Sequence, residues 1–141
     1  MVYTFDVPLK VLERTRKKDG KEFWFSLNLN AYTQIAVQTF RRNAVKQKYQ
    51  GEIAQVLSLI PRLTASKIEL TYEIWMPTKR RVDLMNVGSI VDKFVSDALV
   101  HAGVIMDDNI DVIPEVHFKY AGVDKERPRA DVTITELETG L

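Results

Sequence analysis

The stretch KIELTYEIWMPTKRRVDLMNVGSIVDKFVSDALVHAGV, residues 67–104, decides the fold of this chain, because its apolar period changes once along its length. From Ile68 to Met76 apolar side chains recur at every second position, as Ile68, Leu70, Tyr72, Ile74 and Met76, with Glu69, Thr71, Glu73 and Trp75 between them. That alternation predicts a half-buried strand. Pro77 ends it. From Asn86 to about Ala102 the spacing becomes helical, with Ile90, Val91, Phe94, Val95, Ala98 and Leu99 on the apolar side and Gly103 suited to the C′ position.

On the N-terminal side, Val2 to Leu12 is rich in β-formers, Lys18-Asp19-Gly20-Lys21 supplies an Asp-Gly turn, and Glu22 to Leu29 resumes with Phe23, Trp24 and Phe25. This predicts a β-hairpin. Asn28 and Asn30 are of the type that caps a helix, which is expected from Ala31 to Ile60, with Gly51 marking a kink and Pro61 the end. On the C-terminal side, Val112–Tyr120 and Arg129–Leu137 alternate as strands, and Ala121–Pro128 reads as an exposed connection. The order β-β-α-β-α-β-β predicts an α+β fold (α/β by looser criteria), a mixed sheet with two main helices in a single domain over residues 1–141.

With 141 residues, 45% of them hydrophobic, and two Trp, six Phe and five Tyr, the chain can fill one modest core. The absence of cysteine excludes disulfides and thiolate metal sites and fits a reducing compartment. No apolar run approaches the roughly 18 residues of a membrane span. MVYTFDVPLK lacks the basic start and apolar stretch of a signal peptide, so an intracellular protein is expected. The net charge of +1 hides clusters at Arg14, Arg16, Lys17 and Lys18, at Arg41, Arg42, Lys46 and Lys48, and at Lys79, Arg80 and Arg81. One such cluster alone is usually a solvated face; convergence of clusters on one surface favours phosphate binding.

Acid and amide groups flank the second helix. Asp83 and Asn86 stand at its start and Asp107-Asp108-Asn109 beyond its end, with three cations just ahead of it. Mg²⁺ takes oxygen ligands and often only one or two carboxylates, filling its other positions with water and substrate phosphate. The layout therefore predicts a metal-dependent site acting on phosphodiesters. At about 100° per residue, Asn86, Lys93 and Asp97 fall within about 40° of one another, whereas Asp92 lies roughly 120° from Asn86. His101 fits a helix C-terminus, His117 alternates against Val116 and Phe118 and is expected to be exposed, and neither is assigned a ligand role.

Taken together, KRRVDLMN and DKFVSDALVHAGVIMDDN resemble the RusA family of Holliday-junction resolvases, especially versions carried by phages and prophages. The resemblance spans residues 67 to 135, with a weaker echo in SLNLNAY, residues 26–32. It implies a homodimer in the cytoplasm of a bacterial host, acting on four-way DNA junctions with Mg²⁺ or Mn²⁺ in DNA recombination and repair. It further implies catalytic roles for Asp83, Lys93 and Asp108, metal ligation by Asp83, Asp108 and Asp107, and DNA contact by Lys79, Arg80, Arg81 and Asn86. The family's second acid corresponds to Met85, whose thioether is a poor ligand for hard Mg²⁺. Asp107, Asp97 or water then supplies the missing oxygen, or the chain binds junctions without cutting them.

Overall fold

A computed structural model describes residues 1–137. The strand of residues 67–104 is β4 (Lys67–Met76) and its helix is α3 (Leu84–His101). Before them come β1 (Val2–Pro8), β2 (Lys10–Thr15), β3 (Glu22–Ser26), α1 (Leu29–Ile35) and α2 (Thr39–Leu57); after them come β5 (Glu115–Val123) and β6 (Arg129–Leu137). The class is α+β, as expected. The main sheet has the order β1-β6-β4-β5, with β4 and β5 parallel and the other pairs antiparallel. A parallel pair needs a long crossover, and α3 is its helical part.

The alternation along β4 holds: Ile68, Leu70, Tyr72 and Ile74 are completely buried on one face, beside Ala130, Val132 and Ile134 of β6. The opposite face carries Glu69, Thr71, Glu73 and Trp75 next to Thr135, Thr133, Asp131 and Arg129. α3 is buried on most of its circumference because it meets β4 and β5 on one side and α1 and α2 on the other. Phe94 marks the junction of these layers. Its ring stacks with Phe25 of β3 at 6.1 Å and meets Tyr32 of α1 and Tyr49 of α2 edge-on at 6.0 and 5.5 Å. Aromatic pairs in such geometries add about 0.5–1.5 kcal/mol each beyond the area they bury.

Three expectations need correction. The first helix, expected unbroken from Ala31 to Ile60, is two helices separated at 36–38. The backbone turns there through Gln38 N donating to Ile35 O, and the side chains of Arg42 and Gln38 donate to the freed carbonyls of Ala36 and Gln34. Gly51 lies inside an uninterrupted α2, so it marks no kink. The expected strand from Val2 to Leu12 is also two elements. β1 leaves to pair with β6, and the hairpin consists of β2 and β3, closed by Gly20 at φ +73. A smaller difference is that β5 runs on to Val123, which shortens the exposed connection.

Candidate functional site

Asp83 is the N-cap of α3. Its backbone is extended (φ −64, ψ 126) and its carboxylate accepts from the Met85 N–H at 3.1 Å, which satisfies one of the donors a helix leaves free at its start. The segment from Pro77 to Val82 joins β4 to this cap, and it is exposed throughout. Lys79, Arg80, Arg81 and Asp83 line one concave hollow of about 260 Å³, with Ile74 and Val87 among its apolar residues and Tyr120 at its side. The structure thus gathers the third basic cluster and the first expected acid around one cavity. Tyr120 is 59% exposed, although its alternation with Val116 and Phe118 places it on the apolar side of a strand.

The stripe of Asn86, Lys93 and Asp97 faces α1 and α2, and each member has a partner there. Asn86 Oδ1 accepts from the Leu29 N–H at 2.9 Å and so holds the first turn of α1 against α3. Asn28, the N-cap of α1, accepts from the Ala31 N–H at 2.8 Å, so two asparagines serve neighbouring donors. Lys93 Nζ lies 5.7 Å from the centre of the Tyr32 ring. Asp97 Oδ2 is buried and 2.8 Å from Lys46 Nζ, off the hydrogen-bonding direction, so the contact is an ion pair alone. Tyr32 and Lys46 come from other elements, and no local spacing signals them.

Asp92 points elsewhere, as the helical wheel requires. It accepts from the Tyr72 hydroxyl at 2.7 Å and from the Ser96 hydroxyl at 3.0 Å. Tyr72 is wholly buried, and that burial, followed by the Asp92 charge, pushes its hydroxyl pKa far up. This acid belongs to the core.

Asp107 and Asp108 lie in the loop after α3. Asp107 accepts from the Asp108 N–H at 2.7 Å and from the Asn109 side chain at 3.2 Å. Burial raises the Asp108 pKa above the usual carboxylate range, and the neighbouring Asp107 and Asp97 raise it further. That influence ties Asp97, and with it Lys46, to the same end of the molecule as Asp108.

Asp83 is not at that end. α3 has 18 residues, a length of about 27 Å, with Asp83 at its start. The loop beyond its C-terminus is pinned there by Val104, bonded to Leu99 and Leu63, and by Val112, bonded to Ile68 at the beginning of β4. A single chain therefore does not bring Asp83 to Asp107 and Asp108, and these three do not fit one ion within it. Among the described residues, the group of metal-ligating side chains that does converge is Glu69, Glu115 and His117, on the polar face of the sheet, where His117 Nε2 is 2.8 Å from Glu69.

No helix among the described residues is long and apolar enough to cross a membrane. No curated protein matches the chain. A family model does: that of endodeoxyribonuclease RusA matches residues 7–135, from the end of β1 through most of β6, and so takes in the hollow, α3 and the acidic loop alike. The chain belongs to the RusA endodeoxyribonuclease family.

Proposed function

We propose that this protein is a metal-dependent endodeoxyribonuclease that resolves four-way DNA junctions by phosphodiester hydrolysis, acting as a homodimer within a bacterial cell on behalf of a phage or prophage. The observation that carries this is the hollow at the start of α3, where Lys79, Arg80 and Arg81 surround Asp83. Guanidinium groups suit phosphate oxygens because their donors form a planar fork. Mg²⁺ or Mn²⁺, when bound, would polarise the scissile phosphate and help generate hydroxide. Lys93, exposed and with its ammonium 5.7 Å from the centre of the Tyr32 ring, offsets negative charge as it develops.

The separation of the two acidic ends of α3 favours a site shared between protomers. In a two-fold dimer, Asp83 of one copy meets Asp107 and Asp108 of the other, and the arrangement repeats symmetrically. The test mixes two variants. Asp83→Asn and Asp108→Asn are each expected to leave a four-way junction intact in Mg²⁺, while the wild type nicks it. Mixed dimers of the two would hold one complete shared site, restoring about a quarter of the wild-type sites if subunits exchange freely. No recovery rejects the shared site, and an intact junction with the wild type itself rejects the nuclease.

Met85 favours one other reading. It is 51% exposed in the first turn of α3, where the family pattern has a second acid. A protein that has lost catalysis there binds junctions in a salt-sensitive way and leaves them uncut in both Mg²⁺ and Mn²⁺.

A further inference from the structure

Between Lys10 and Lys21 the chain carries six cations and two acids, Glu13 and Asp19. Both acids are already engaged, Glu13 by Arg41 of α2 at 2.7 Å and Asp19 by Arg16. Among the described residues, Arg14, Lys17, Lys18 and Lys21 have no ion-pair partner, and all four are exposed on or beside the turn of the β2–β3 hairpin. The second basic cluster of the sequence meets the first here. Arg41 reaches Glu13 from α2, and Lys48 donates to the Glu13 carbonyl.

Between β2 and α2 lies an open hollow of about 550 Å³, with Arg14 and Lys48 on its walls, Gly51 of α2 also lining it and the exposed Glu52 as its one acid. A Cβ at Gly51 would touch nothing within 4 Å, so packing does not require glycine there. Glycine in a helix interior is less favourable than alanine, and a bare backbone permits close approach of a ligand.

An aromatic ring orders the cations. Phe23 pairs with Arg14 across the hairpin, and the Arg14 guanidinium carbon sits 3.9 Å from the ring centre, with Lys21 at 5.3 Å and Arg16 at 5.8 Å. A guanidinium lying on a ring keeps its edge donors free while losing side-chain freedom in advance.

We infer that the β2–β3 hairpin and the facing part of α2 form a second DNA-backbone surface, which takes one duplex arm of the junction while Arg80 and Arg81 hold the strand to be cut. This rests on the nuclease reading above and extends it to how a branched substrate is held. Its contacts are to phosphate, so it contributes affinity and salt dependence without sequence preference.

The experiment uses the full chain with Arg14, Lys17, Lys18 and Lys21 all changed to alanine. Binding to a fluorescent four-way junction is measured in EDTA between about 50 and 200 mM salt, where each phosphate contact contributes about 0.9 to the slope of log K against log salt. We expect the slope to fall by about 2–4 and junction affinity to drop at least tenfold. Lys17→Ala/Lys18→Ala, confined to the exposed turn, should lower it by about 1–2, and this milder variant decides the matter if the quadruple variant melts early. An unchanged slope in a folded variant overturns the inference, while a loss in Arg80→Ala/Arg81→Ala would leave the nuclease reading standing. An equal fall on neutralising Lys67, Lys119 and Lys125, on the sheet and the loop after β5, also overturns it, since bulk charge is then the cause. A wild type that retains no DNA overturns both readings.

Discussion

Changing Asp92 to alanine separates the core acid of α3 from those proposed to act in chemistry. The carboxylate accepts from Tyr72 at 2.7 Å and from Ser96 at 3.0 Å, and the tyrosine is entirely buried between β4 and the helix. A hydrogen bond to a charged acceptor contributes about 1.5–3 kcal/mol. Alanine recovers about 0.5 kcal/mol of helix propensity, leaving a net loss of about 1–2.5 kcal/mol for the Tyr72 bond alone, to which the Ser96 bond adds. For 141 residues, with an unfolding entropy of about 2.1 cal/mol/K per residue, that loss lowers the melting temperature by about 3–8 °C. The assay is urea unfolding followed by circular dichroism, run as a double-mutant cycle with Tyr72→Phe. Once the hydroxyl is gone, Asp92→Ala has only the Ser96 bond left to remove, so the coupling energy between Asp92 and Tyr72 should be about 1–2 kcal/mol. A coupling below about 0.5 kcal/mol, or loss of junction cleavage at unchanged stability, would refute a structural role for this acid.

Two other outcomes follow from the acids at either end of α3. Asp108→Asn should make the protein more stable than the wild type at neutral pH, because the folded state raises this pKa and so resists ionisation. The wild type regains the difference as pH falls through the raised pKa, and the advantage vanishes below the unfolded carboxylate value; melting curves across pH 3–8 check the sign, and an advantage that grows in acid contradicts it. Met85→Asp places an acid in the exposed first turn of α3, where the helix dipole favours it. Mg²⁺-dependent junction cleavage should rise about tenfold, equivalent to about 1.4 kcal/mol of barrier, and no gain at saturating Mg²⁺ argues against a missing ligand there.

What local spacing encodes was readable from the chain. β4 and α3 follow their apolar periods, Asn28 caps the helix after it, and Gly103 takes φ +76 beyond the last turn of α3. The break between α1 and α2 was not readable, since Ala36, Val37 and Gln38 include good helix formers and no glycine or proline. Tertiary contacts decide it: α1 must meet α3 through Leu29 and Tyr32 while α2 must also reach the hairpin. The division of β1 from β2 was hidden for a similar reason, because the partner of β1 is the last strand. In the site, the Asn86, Lys93 and Asp97 stripe came from helical geometry alone. Leu29, Tyr32 and Lys46, which give those side chains their partners, lie on other elements and leave no periodic trace.

The position of β6 has a consequence for the order in which the molecule forms. β6 is the last strand among the described residues, yet it lies between β1 and β4, and Val2 pairs with Thr135. During synthesis the first strand therefore emerges with no edge to join, and it waits while every helix is made. Sheet closure is a late event that brings β1 and β6 together, and pairings of such long range slow folding. A chain interrupted before Arg129 retains the crossover of β4, α3 and β5 but lacks the strand that links it to β1.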